Sequence, residues 1–281
     1  MKQVIVIIVF VPLIIGCTKD FNRGNPFDPG AISIGDSGNS GGGGGGAGTT
    51  LNGQYSGTNL KLSLANSPYT VRGNVRFNDP LFIEAGTEIK YDGYYTTYFS
   101  KIVNAAGTAE NPIRFIATSA LPVSDDRISI TNGTFNYCTF DGFSEIDIQN
   151  SNPAFTNCTF TDRFKRLVMQ YVSYVSITNC NFESSSAYIW TLSSSMLTIS
   201  YCNIAGYIFA SGNSGQYRVS DCNFGNPPSI VNHLNNTIDA ANNWWGTTDP
   251  AGISGHISGS YASNISYTPF ASSFITTAGP K

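Results

Sequence analysis

The sequence predicts an all-β solenoid, a single parallel coil of short strands stacked turn upon turn. Three observations carry this. Cys138, Cys158, Cys180, Cys202 and Cys222 are spaced 20, 22, 22 and 20 residues apart. Each has an apolar residue three positions earlier (Phe135, Phe155, Ile177, Ile199, Val219) and another two positions later (Phe140, Phe160, Phe182, Ile204, Phe224). A period near 21 with no helical patterning inside it suits one turn of a β-solenoid. Composition agrees. Only 12% of the 281 residues are charged, about half the usual share, and Gly, Ser, Thr, Asn, Tyr and Ile abound where helix formers are scarce.

The elements follow in chain order. Val4 to Ile15 is an apolar run behind the basic Lys2, too short to span a bilayer and typical of a signal-peptide core. It ends in Leu13-Ile14-Ile15-Gly16-Cys17, which resembles a bacterial lipobox. The resemblance implies a signal peptide over 1–16, cleavage before Cys17 and lipid attachment there. That places the protein in the bacterial cell envelope, anchored to the outer membrane, with the periplasmic or surface side left open. Residues 17–52 read as a flexible tether, with turn-rich Asn25 to Gly30 and the unbroken run Gly41 to Gly46. Such a chain reaches roughly 30–35 Å. The folded domain is expected over 53–281.

Within each repeat, positions five and three before Cys alternate as a strand with one face inward. Position three before Cys and Cys itself are both apolar, so the phase breaks and the chain must bend between them. Asn157, Asn179 and Asp221 stand just before Cys, and Asn and Asp tolerate the left-handed region such a corner needs. Cys and the residue two later then point inward on a second short strand. The intervening positions Thr134/Asn136, Ala154/Thr156, Ser176/Thr178, Thr198/Ser200 and Arg218/Ser220 form an outward, mostly uncharged hydroxyl array.

These x-Asn-Cys-x-Phe coils resemble right-handed parallel β-helices of the pectin-lyase-like superfamily. Phe82 to Tyr91 followed by Gly107 to Phe115 is similar to the opening of many secreted bacterial members, and Asn243 to Pro250, ending at Pro269, to their C-terminal cap. The resemblance covers about 69–270 and implies a single right-handed parallel β-helix of roughly eight coils. It implies little about activity, because functions are grafted onto folds.

The five repeat cysteines read as small buried thiols. Stacked side chains lie near the ladder spacing, longer than a disulfide prefers. On that view Cys180→Ser, which buries a hydroxyl, costs more than Cys180→Ala.

Chemistry is sparse. The net charge of −3, from 15 basic and 18 acidic residues, argues against an electrostatic nucleic-acid binder, which needs a basic face. No cofactor or metal set appears. The chain has two histidines, His233 and His256, both read as solvated loop residues. Asp125-Asp126 adjoin Arg127, and Asp141 and Glu183 share an offset two coils apart; these read as turn carboxylates, so no residue is assigned to catalysis. Aromatic faces are sugar-stacking platforms. Tyr171, Tyr174, Tyr188 and Trp190 lie on the middle coils. Counting back twelve from Cys202 assigns Trp190 to the interior, beside Ile146, Val168 and Ala210 at the same offset. Tyr174 faces outward, next in sequence to the basic cluster Arg163, Lys165 and Arg166, which gives these four as a candidate contact for an anionic glycan. The expected function is a lipid-anchored extracytoplasmic protein presenting a solenoid face to a polysaccharide or a surface protein. The residues weigh against catalysis without closing the alternative, a lyase or hydrolase of acidic polysaccharide.

Overall fold

The computed structural model describes residues 48–58, 60–118, 126–171, 173–192, 195–212 and 215–281. The lipobox with Cys17, most of the tether, and Asp125 lie outside the described residues.

The chain is an all-β parallel solenoid with about eight turns between its first strands and its cap. Each middle turn crosses three sheets in sequence. The first sheet stacks Cys138–Asp141, Thr159–Phe160, Asn181–Phe182, Asn203–Ile204 and Asn223–Phe224. The second stacks Glu145–Gln149, Arg166–Gln170, Tyr188–Thr191, Tyr207–Ala210 and Ile230–Asn232. The third stacks Ala154–Thr156, Tyr174–Thr178, Met196–Ser200, Gln216–Ser220 and Thr237–Asp239. In the earliest turns one long strand serves two sheets, as Arg127–Asn136 does. The first strand, Thr49–Tyr55, already pairs with Tyr69–Phe77, so pairing starts a little before 53.

The corner before each cysteine is left-handed as expected: φ is 53° at Asn157, 53° at Asn179 and 57° at Asp221. Tyr137 (48°) and Tyr201 (54°) occupy the same corner in the other two repeats, so the fold strains a tyrosine there where no Asn is supplied. Past this bend the inward side chains form continuous columns. Phe140 stacks on Phe160 at 5.2 Å and Phe160 on Phe182 at 4.3 Å, with ring planes within 15°. Phe135 stacks on Phe155 at 5.0 Å on the third sheet, edge-on to the first column. Each such ring, almost wholly shielded from water, contributes roughly 2–3 kcal/mol by burial.

All five described cysteines are buried free thiols. Their sulfurs do more than fill space. The backbone N–H of Cys158 donates to Sγ of Cys180 at 3.3 Å, that of Cys180 to Cys202 at 3.3 Å, and that of Cys202 to Cys222 at 3.4 Å. The thiols donate in turn to carbonyls two residues back, Cys180 to Thr178 at 3.2 Å. The column therefore satisfies corner N–H groups that no neighbouring strand reaches. Burial pushes the thiols of Cys158, Cys180 and Cys222 well above their usual range. At the top of the stack Asn243 takes over: its Oδ1 accepts the Cys222 N–H at 2.9 Å, and its Nδ2 donates to Val219 and Ala240 carbonyls at 2.7 Å.

The cap closes that end, which would otherwise be an open sheet edge. Trp245 is fully buried, stacks on Phe224 at 4.6 Å and meets Tyr267 edge-on. The chain then doubles back as a strap outside the first sheet. Asn223 holds Ile275 through both amide atoms, and Asn203 donates to the Ala278 carbonyl. Gly279 sits there at φ 99°, where a Cβ would come within 2.7 Å of the Asn203 amide.

Candidate functional site

The outer surface of the second sheet concentrates the chemistry. Its inward residues (Ile146, Leu167, Ile189, Ile208, Ile230) are uniform and buried. Its outward residues change from turn to turn. One outward column runs Ser129, Asp147, Val168, Trp190, Phe209, Val231. A second runs Arg127, Glu145 and, two turns on, Tyr188 and Tyr207, with Arg166 stacked between Glu145 and Tyr188. Parallel ladders put successive members about 4.8 Å apart.

The lower part is polar. Glu145 and Asp147 project from the same face of one strand, roughly 6.5 Å apart by strand rise. Both are more than nine-tenths shielded from water. Arg166 Nε donates to Glu145 at 2.7 Å, and Arg127 Nη1 lies 3.7 Å from its other oxygen. Asp147 accepts from the Gln149 amide and, at 2.9 Å, from that of Gln170. Burial, with the Glu145 carboxylate adding to it, holds Asp147 above the usual carboxylate range despite these amide bonds.

The upper part is aromatic. Tyr188, Trp190, Tyr207 and Phe209 line an open cleft of about 230 Å³. Tyr188 and Tyr207 stack at 5.3 Å and 18°. Trp190 and Phe209 meet at 6.1 Å and 83°. The Trp190 indole N–H donates to Ser211 at 2.7 Å, which fixes the ring. Arg166 bridges the two parts by donating to the Tyr188 hydroxyl at 3.3 Å. His233 extends the aromatic row, 5.0 Å from Phe209.

The model of the right handed beta helix region matches residues 102–245, just over half the chain. The chain belongs to that family. No curated protein and no solved structure matches it.

Within this β-helix the residues expected to form one binding cluster are dispersed. Arg166 lies on the second sheet, paired with Glu145. Arg163 sits in the turn before it and donates through Nε to Asp141 at 2.9 Å. Lys165 is a part-buried turn residue whose carbonyl accepts the Tyr188 N–H. Tyr174 is about half exposed, but on the third sheet. Trp190, expected inside, points outward. The turn lengths shift: Ile146 lies 12 residues before Cys158, whereas Leu167 and Ile189 lie 13 before Cys180 and Cys202, and Ile208 lies 14 before Cys222. A slip of one residue flips the face.

The acids also resolve. Asp126 is buried, and its Oδ1 accepts the Tyr95 N–H at 2.9 Å. Asp141 is occupied by Thr161 and Arg163; burial alone would raise its carboxyl, but these two bonds outweigh it and hold it below the usual range. Glu183 lies exposed in a turn. His233 is exposed as expected. His256 is not: it is buried in the cap against Trp245, with Nδ1 2.7 Å from the fully buried Ser229 hydroxyl, and burial lowers its pKa. Among the described residues no group of His, Cys, Asp and Glu is arranged to hold a metal ion.

Proposed function

We propose that the protein is a lipid-anchored, extracytoplasmic and non-catalytic β-helix that binds glycan on the outer face of its second sheet. One observation carries the binding assignment. Four outward aromatic rings on two adjacent turns surround an open cleft. Aromatic side chains combine large contact area with little conformational freedom to lose, and sugar C–H groups pack on ring faces. The anchor rests on Leu13 to Cys17 alone. The test is a glycan array with the lipidated protein and its Trp190→Ala variant. Retention of a glycan by the first and its loss by the second supports the assignment; no retention by either defeats it. For the anchor, palmitate labelling that survives Cys17→Ala would contradict lipidation at that residue.

One observation favours the enzymatic alternative: Glu145 and Asp147 share a face, and Asp147 is held towards its protonated form. Glycosidase carboxylates at about this separation act as acid and base. Here both oxygens of each carboxylate are already engaged by Arg or Gln, and both groups are largely shielded from water. The non-catalytic reading therefore predicts no new reducing ends and no unsaturated uronate from bound polysaccharide.

A further inference from the structure

We propose that the cleft of Tyr188, Trp190, Tyr207 and Phe209 takes an uncharged sugar, and that the turns beside it reject uronates. This rests on the glycan-binding reading above and specifies its ligand. Tyr188 and Tyr207 spend their inner faces on each other. Trp190 and Phe209 meet edge to face, so the ring contributing its edge gives up neither face to the other. At about 230 Å³ the cleft is smaller than pockets for drug-sized ligands. It holds one ring and leaves the rest of a chain on the open sheet.

The charges decide which ring. A uronate carboxylate needs a cation that is not already committed. The guanidinium seen to contact a cleft ring is that of Arg166, which bridges Glu145 and the Tyr188 hydroxyl. Arg127, further down the same column, also faces Glu145. Arg76, on the early turns of the sheet, lies over the Tyr98 ring at 4.3 Å and donates to Ser100 at 2.9 Å. Drawing Arg166 onto a ligand would strip the main partner from a carboxylate shielded from water, and breaking such a pair is strongly unfavourable. Asp147, next along the strand, adds a second acid facing the same surface. A neutral sugar meets none of these penalties, and the Gln149 and Gln170 amides offer polar neighbours to its hydroxyls.

The experiment is calorimetric titration of the whole lipidated protein in detergent at pH 8, where a histidine is ordinarily uncharged. The probes are cellohexaose, xylohexaose, mannohexaose and hexagalacturonate. The expected result is that at least one neutral hexasaccharide binds about tenfold or more tightly than hexagalacturonate. Glu145→Gln, which keeps the shape and releases Arg127 and Arg166, should strengthen hexagalacturonate binding about fivefold or more and leave neutral binding nearly unchanged. Asp147→Asn should narrow the gap by less, and serves as the readout if Glu145→Gln does not fold. Hexagalacturonate binding as tightly as the neutral probes, or a gap that the foldable variant leaves untouched, would overturn the uncharged-ligand assignment while leaving glycan binding standing. Binding of none of the four probes would remove both.

Discussion

Inside the coil, the turns centred on Cys158, Cys180 and Cys202 are nearly interchangeable; outside, on the second sheet, the same turns carry Arg166 and Val168, then Tyr188 and Trp190, then Tyr207 and Phe209. The interior must repeat because each inward side chain lies about one ladder spacing from its copy, and a change of size in one turn is felt by two neighbours. The outer face carries no such constraint. Variation there costs the fold little, and a site can be built from it. The difference separates residues that hold the solenoid together from residues available for binding.

Replacing one aromatic on each side tests the difference most strongly. Phe155 is sandwiched in the interior column, so Phe155→Ala should cost about 3–5 kcal/mol and lower the unfolding midpoint strongly. Trp190→Ala removes an even larger ring from the outer face and should cost no more than about 1 kcal/mol. Urea unfolding of the two variants checks the ranking. Equal losses would erase the distinction between inner and outer columns.

A smaller effect sharpens the role of the cysteines. Cys180→Ala leaves the buried Cys158 N–H without an acceptor, which costs about 1–3 kcal/mol. Serine keeps an acceptor for that N–H and a donor for the Thr178 carbonyl, so Cys180→Ser should be the milder change. This reverses the order that a purely apolar column implies. Thermal unfolding of the two variants side by side decides it; a Ser variant less stable than the Ala variant would mean the sulfur contacts contribute little as hydrogen bonds.

The smallest effects are pH-dependent and opposite in sign. Asp147 has its carboxyl raised above the ordinary 3.8, so it is stabilising relative to the unfolded chain only at low pH, and that contribution is lost as pH rises through its folded value. Asp141 is held below 3.8, so its contribution is present at neutral pH and lost as pH falls through its folded value. In melting profiles between pH 3 and 7, Asp141→Asn should therefore be most damaging at neutral pH and near-neutral at acid pH. Asp147→Asn should become relatively more favourable as pH rises. Profiles with the same slope for both variants would contradict the environments described.

The fold was readable because the cysteine register repeats with both apolar offsets intact, and because Asn157, Asn179 and Asp221 mark the corner chemically. The site was only partly readable. Tyr188 and Trp190 were visible as aromatics, but Trp190 was assigned to the interior because the turns between the second sheet and the next cysteine differ in length, and the alternation carries no marker to restore the phase. The outward face of Glu145 and Asp147 likewise follows from register, not from composition. Arg163 and Arg166 stand three residues apart in sequence yet serve different carboxylates, Asp141 and Glu145, because a turn separates them. His256 looked solvated because nothing local signals that the cap folds it against Trp245.

On the proposed reading, glycan binds at Trp190 and not elsewhere on the solenoid. The chain has three tryptophans, Trp190, Trp244 and Trp245, so its indole N–H groups give a spectrum of three signals, with Trp190 assigned by Trp190→Phe. Titrating the isotope-labelled protein with a neutral hexasaccharide that binds by calorimetry should move the Trp190 signal saturably, with the same dissociation constant, while the fully buried Trp245 stays in place. A bound hexasaccharide that leaves the Trp190 indole unmoved would contradict the account.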